Sequence, residues 1–125
     1  MSIEVAFNQQ EQIIEARVIG DFDYDTMREL VPQIAKLVKE NDCKKIFLDA
    51  RQMNISLSTA MIYMAPAKIA KEFEKFDLDI HHLRRALLIR GFEKNMRFLE
   101  TVSLNQAQSM RLFENEEEAK KWLKG

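Results

Sequence analysis

Three hydroxyl side chains stand near the middle of the chain, between a short apolar run and a helical pattern. The run at residues 46–48 ends at Asp49, and Ser56, Ser58 and Thr59 precede the helical pattern. A serine at a helix N-terminus ordinarily caps the free backbone N–H groups. The same N–H groups and the helix dipole also stabilise a phosphate, so this cluster is a candidate phospho-acceptor or anion site. Both interpretations remain open at this point.

The stretch around these hydroxyls is uncharged at residues 52–67, in a chain of which 31% of the residues are charged. Its large apolar side chains include Met53, Ile55, Leu57, Met61 and Met64. A helix that is apolar on nearly every side needs cover on every side, and methionine suits adaptable apolar contacts. Three interpretations follow: core, a surface for a protein partner or a second copy of the chain, or the lining for a lipid or other apolar ligand.

Other reactive side chains lack the neighbours that catalysis or metal binding requires. His81 and His82 are adjacent in a polar segment, without a cysteine or paired acid at ligand spacing, so no metal site is predicted. Nearby lysines favour a Cys43 thiolate, but no base is spaced to activate it. Asp49 has no second carboxylate suited to acid–base chemistry, and we expect it to pair with Arg51. We therefore expect no catalytic residue, no cofactor and no enzyme activity.

Length, composition and charge predict one soluble domain over residues 1–125. The chain is 46% hydrophobic with three glycines and two prolines, which suits a packed core and leaves little room for linkers. The net charge is −1 with both signs spread along the chain, which argues against a nucleic-acid partner. The single Cys43 cannot form an internal disulfide and favours a reducing compartment. We expect no signal peptide, no transmembrane segment and a cytoplasmic location.

The apolar periodicity predicts the element order ββαβαβαβα. Alternation at residues 3–7 and 14–18 indicates an N-terminal antiparallel hairpin that ends at Gly20. The continuous runs at residues 46–48 and 86–89 are typical of inner parallel strands, and residues 110–113 form a short last strand. Because strands linked by helices require right-handed crossovers, we expect an α/β fold with a mixed, mostly parallel sheet.

Helical spacing of apolar residues predicts the four helices of this order. The first has Asp23 or Asp25 as its N-cap, and the third includes Phe92. Acidic residues in the first turn and lysines in the last turn of the final helix suit the helix dipole. Pro32 and Pro66 lie inside two of the helical patterns, and each is expected to bend its helix or split it.

Three segments together resemble the SpoIIAA-like family of small bacterial proteins: LVPQIAKLVKENDCKKIFLDA, RRALLIRGFEKNMRFLE and MRLFENEEEAKKWL. The resemblance covers residues 20–123. It implies a STAS-like fold, which is also similar to CRAL-TRIO lipid-transfer domains. It further implies a regulatory module that acts through protein–protein contacts, and the similarity to CRAL-TRIO domains makes a carrier or sensor of a lipid or other apolar small molecule the alternative.

The resemblance also implies a role for Ser58. In the STAS antagonists, a partner kinase phosphorylates the serine that opens the helix after the Asp-ending strand. An ungapped count from Asp49 places that serine on Ser58, with Thr59 following. Leu57 stands where those antagonists usually have aspartate, and Ala60 replaces a glycine. We expect a non-enzymatic module that docks a partner protein, or a second copy in a homodimer, through the stretch from Met53 to Met64.

Overall fold

The computed structural model describes residues 2–91 and 94–125, which form an α/β fold. The strands of this described part are β1 (Ser2–Asn8), β2 (Ile13–Phe22), β3 (Lys45–Asp49), β4 (Met53–Ile55), β5 (Arg84–Leu88) and β6 (Ser109–Phe113). Its helices are α1 (Tyr24–Asn41), α2 (Thr59–Glu74), α3 (Lys94–Asn105) and α4 (Glu116–Lys124), with a 3₁₀ turn at Ile80–His82. The predicted class and the N-terminal hairpin are confirmed, and β4 is an addition to the predicted order.

The sheet has the strand order β1-β2-β3-β5-β6, and β4 pairs with the end of β2. β1 and β2 are antiparallel, and the pairs β2–β3, β3–β5 and β5–β6 are parallel. The hairpin ends at Gly20 as predicted, whereas strand β2 itself continues to Phe22. Pairing with β1 ends at Ile19, and β4 then partners the last three residues of β2.

The two inner strands β3 and β5 are covered on both faces, as their continuous apolar runs predict. Ile46 and Leu87 face the main core, to which α1, α2 and α3 contribute. Phe47, Ala86 and Leu88 face the other way and pack with Ala119 and Leu123 of α4. Three helices therefore cover one face of the sheet and α4 covers part of the other.

α1 begins after one of its two predicted caps, and both α1 and α2 run through their prolines. Asp23 caps α1, since its Oδ1 accepts a hydrogen bond of 2.8 Å from the backbone N–H of Thr26. Pro32 and Pro66 lie inside α1 and α2 without splitting either helix. The described part of α3 begins at Lys94, and Phe92, which the sequence pattern includes in this helix, lies outside the described residues.

The attachment of α2 to the core gives a testable stability contrast within one helix. Phe73 is 2% exposed, whereas Tyr63 on the same helix is 63% exposed. We expect Phe73→Ala to lower the free energy of unfolding by about 3–5 kcal/mol, because it removes a large buried ring and leaves a cavity. Tyr63→Ala is the matched control and should change it by less than about 0.5 kcal/mol. Urea unfolding measures both, and equal losses would contradict this packing of α2.

Candidate functional site

The segment between β4 and α2 holds Ser58 at the start of the helix. The backbone N–H of Ser56 donates to the carbonyl oxygen of Phe22 over 3.0 Å, which ties the segment to the end of β2. Ser58 is the N-cap of α2, and its Oγ accepts from the backbone N–H of Met61 at 3.2 Å. The side chains of Ser56, Ser58 and Thr59 are all exposed. The capping interpretation of Ser58 is therefore realised, and its hydroxyl stays accessible from solvent.

The first half of α2 carries an apolar surface that the described chain leaves uncovered. Among the described residues, the large hydrophobic side chains that stay exposed are Met61, Tyr63, Met64 and Leu104, at 38%, 63%, 51% and 55%. The first three lie on α2, where Ala60 and Ala67 are also exposed. We call Ala60, Met61, Tyr63, Met64 and Ala67 the docking patch. Tyr63 is a member of it that sequence reasoning did not single out, although it lies inside the uncharged stretch.

The other apolar residues of the uncharged stretch turn inwards. Met53 is 9% exposed, belongs to the main core and lines an interior cavity. Ile55 and Leu57 are half-buried and pack against the same core. The structure thus divides the predicted surface: Met61 and Met64 are exposed on α2, which Ser58 caps, whereas Met53, Ile55 and Leu57 pack into or against the main core.

Tyr24 of α1 fixes the first turn of α2 and is not apparent from the local sequence pattern. Its hydroxyl donates a hydrogen bond of 2.7 Å to the backbone oxygen of Met61. The ammonium of Lys68 lies 5.1 Å from the centroid of the Tyr24 ring. Burial raises the pKa of the Tyr24 hydroxyl above its ordinary value, so the group remains a donor at neutral pH. This contact joins α1 and α2 next to the docking patch.

Asp49 forms the ion pair that its position predicts. Both of its carboxylate oxygens accept from the Arg51 guanidinium, at 3.0 and 2.8 Å, and Arg17 lies 3.6 Å away. The hydrogen bonds from Arg51 lower the pKa of Asp49, so its carboxylate is ionised and paired at neutral pH. This geometry stabilises the turn after β3.

The remaining reactive side chains have structural partners. His81 Nδ1 lies 2.8 Å from Asp79 Oδ1, and its Nε2 lies 3.1 Å from the carbonyl oxygen of Gln106. The hydrogen bond to Asp79 raises the pKa of His81. Cys43 is buried, and its thiol donates to the carbonyl oxygen of Gln12 over 3.3 Å. In residues 2–91 and 94–125, no three His, Cys, Asp or Glu side chains gather as metal ligands.

The sequence profile of the SpoIIAA-like family matches residues 13–124, which is most of the chain. The chain belongs to the SpoIIAA-like family. No curated protein matches this SpoIIAA-like chain at a significant level.

In the described ranges, no helix combines the length and apolar character needed to cross a membrane.

Solved structures show the same fold at low sequence identity. The anti-sigma factor antagonist SpoIIAA in its unphosphorylated form is 14% identical with a TM-score of 0.58, covering 99% of both chains. An uncharacterized protein from Shewanella loihica with a SpoIIAA-like fold is 18% identical with a TM-score of 0.55, covering 98% of this chain and 92% of that one. The Bacillus cell fate determinant SpoIIAA in the phosphorylated form is 14% identical with a TM-score of 0.54, covering 98% and 99%.

The cap geometry distinguishes Ser58 from its neighbour Ser56. We expect Ser58→Ala to lower the free energy of unfolding by about 0.5–2 kcal/mol, because the Met61 N–H loses its side-chain acceptor. Ser56→Ala should change it by less than about 0.5 kcal/mol, since that exposed side chain does not cap the helix. Urea unfolding of the two variants checks this difference. A larger loss for Ser56→Ala would mean that the helix is capped differently.

Proposed function

We propose that this SpoIIAA-like chain is a non-enzymatic regulatory module that binds a partner protein through the docking patch. The observation that carries the proposal is the exposed apolar start of α2, with the accessible Ser58 hydroxyl at its edge. Exposed apolar clusters on soluble proteins mark surfaces that bind something else. A methionine and tyrosine surface suits a protein partner, because aromatic residues and methionine are enriched in protein interfaces.

The absence of charge in this segment supports a partner that buries it. Residues 52–67 carry no ionisable acid or base apart from the tyrosine Tyr63. Charged residues are depleted at the centres of protein interfaces, because a charge that loses its water without a counter-ion costs free energy. Lys68 and Lys71 follow the patch along α2 and lie where a polar rim would.

The cost of desolvating a charge also makes Ser58 a suitable position for a phosphorylation switch. A phosphate on its Oγ would bring a charge of about −2 to the edge of an apolar surface. The backbone N–H groups at the start of α2 would stabilise that phosphate, since they point towards Ser58. An apolar partner surface would then have to remove water from the phosphate, which would weaken its binding. We propose that phosphorylation of Ser58, with Thr59 as the neighbouring acceptor, weakens partner binding.

The related solved structures are consistent with this proposal. SpoIIAA is described as an anti-sigma factor antagonist and is known in unphosphorylated and phosphorylated forms. An antagonist of another regulatory protein acts by protein contacts, and the family membership of this chain extends that class of function to it as a proposal.

Self-association and an apolar ligand are the alternative occupants of this region. A second copy would bury the same patch against itself in an isologous dimer. A lipid tail is less well accommodated, because the interior cavity beneath α2 has a volume of about 70 Å³. Pockets for drug-sized ligands have about 300–1,000 Å³. The partner protein therefore remains the favoured occupant.

Charge placed in the docking patch should weaken partner binding without unfolding the chain. We expect the double substitution Met61→Lys and Met64→Lys to weaken binding at least about tenfold, because two apolar contacts become desolvated charges. Wild-type and variant proteins are immobilised and incubated with an extract of the source organism. Retained proteins are quantified by mass spectrometry, and each candidate is then purified and titrated by calorimetry.

Leu104→Lys is the matched control, because Leu104 is also an exposed large apolar residue but lies on α3 outside the patch. A purified partner that binds the double variant as tightly as the wild type would refute the proposed surface. Native mass spectrometry of the wild type tests the alternatives. A dimer that the double variant lacks identifies a second copy as the occupant, and a bound small molecule identifies a carrier.

The phosphate switch predicts that two substitutions of Ser58 differ in their effect on partner binding. With the partner identified above, we expect Ser58→Asp to weaken binding several-fold, because it brings a negative charge to the patch. Ser58→Ala should bind like the wild type, since it changes only the cap. Calorimetric titration compares the two, and Thr59→Asp reports on the neighbouring acceptor. Equal affinity of the Ser58→Asp and Ser58→Ala proteins would exclude the switch.

A further inference from the structure

Arg85 in β5 is buried on the main core face of the sheet, and none of the described acidic side chains forms an ion pair with it. Arg85 is only 8% exposed. It pairs with Ile46 of β3 on one side and with Met110 of β6 on the other. Its Nη2 donates to Gln108 Oε1 at 2.6 Å. Within the part of the chain that the structure describes, its Nε is buried and has no hydrogen-bond acceptor. Burial lowers the pKa of this guanidinium to about 10, which leaves it charged at neutral pH.

Within residues 2–91 and 94–125, the one hydrogen-bond acceptor of the Arg85 side chain is the neutral amide of Gln108. Gln108 is 3% exposed, and its Nε2 donates to the carbonyl oxygen of Pro66 in α2 at 3.0 Å. No salt bridge of the described residues includes Arg85. A buried charge without a counter-ion destabilises a fold strongly, so such charges are ordinarily paired. Among the described residues the Nε–H thus lacks an acceptor, and an anionic group would offset both this lost hydrogen bond and the buried charge.

A cavity of about 70 Å³ lies beside this guanidinium, between the sheet and helices α1, α2 and α3. Of its 15 lining residues, 13 are apolar, and the other two are Arg85 and Ser103. The Ser103 hydroxyl already donates to the carbonyl oxygen of Leu99 at 2.8 Å. The cavity therefore combines one cationic donor with apolar walls, which is the chemistry of a site for a small carboxylate with an aliphatic tail.

The volume limits the length of that tail. A dry apolar cavity of about 150 Å³ holds benzene, and this cavity has about half that volume. We propose that the cavity binds a short aliphatic carboxylate of about two to four carbons. Its carboxylate accepts a hydrogen bond from the Arg85 guanidinium, and its tail contacts Leu99 and Ile69. This site lies inside the core, on the side of α2 opposite the docking patch, so it does not depend on the proposed partner.

Thermal unfolding of the whole chain with propionate tests the site. We expect sodium propionate at about 100 mM to raise Tm by about 3 °C or more relative to sodium chloride at the same concentration, because only the folded state contains the cavity. Propylammonium chloride has a similar size and the opposite charge, and it should give no such rise. A shift with chloride equal to that with propionate, or no shift with propionate, overturns the proposal.

Two substitutions test whether the rise in Tm with propionate comes from binding in this cavity. Arg85→Met removes the guanidinium, and Ile69→Phe fills the cavity while Arg85 remains; both should lose the propionate shift. Met64→Ala, which changes the exposed face of the same helix, should keep it. If Arg85→Met does not fold, Ile69→Phe and the Nε–H resonance of Arg85 in the wild type decide, since propionate should shift that resonance. An Ile69→Phe protein that keeps the full shift, or an unmoved resonance, overturns the assignment.

Discussion

The burial of β3 and β5 on both faces is the constraint from which the other features of the structure follow. Ile46 and Leu87 point to one side of the sheet, whereas Phe47 and Ala86 point to the other, and all four are buried. Strands of this kind require helices on both sides. Three helices occupy one side and α4 the other, and α2 is held where its inner stripe meets the core.

That arrangement accounts for both candidate sites. The inner stripe of α2 contributes Ile69 and Phe73 to the cavity walls, whereas its outer side carries Met61 and Met64. A helix on the outside of a sheet has one side that the same chain cannot cover. Here the exposed side is apolar in its first half rather than charged, which is the departure from an ordinary amphipathic helix.

The long periodic elements of this fold could be predicted from the sequence, because their signals are local. The hairpin and the two inner strands follow from alternation and continuous apolar runs, and cap chemistry narrows the N-cap of α1 to Asp23 or Asp25, of which the structure selects Asp23. β4 could not be predicted in this way, because a strand of three residues is too short to show a pattern of alternation. Its pairing with β2 decides its conformation. The same pairing buries Met53, although Met64 in the same uncharged stretch stays exposed.

Long-range contacts explain the residues that sequence reasoning missed. Arg85 borders an apolar run in the sequence, and its charge suggests the end of a buried segment; strand register nevertheless places it between Ile46 and Met110. Tyr24 reaches Met61 across 37 residues of chain. The accessible Ser58 hydroxyl could be predicted because a helix cap depends on residues three positions apart.

The three anchors at the start of α2 also determine what binding there would cost. Ser56 is held to Phe22, Ser58 caps the helix, and Tyr24 holds the carbonyl of Met61. The backbone under the apolar side chains is therefore already ordered before any encounter. A partner that binds a mobile loop must order it and so loses conformational entropy. A backbone that is already ordered avoids that loss. Binding at this helix would therefore lose less conformational entropy than binding at a mobile loop.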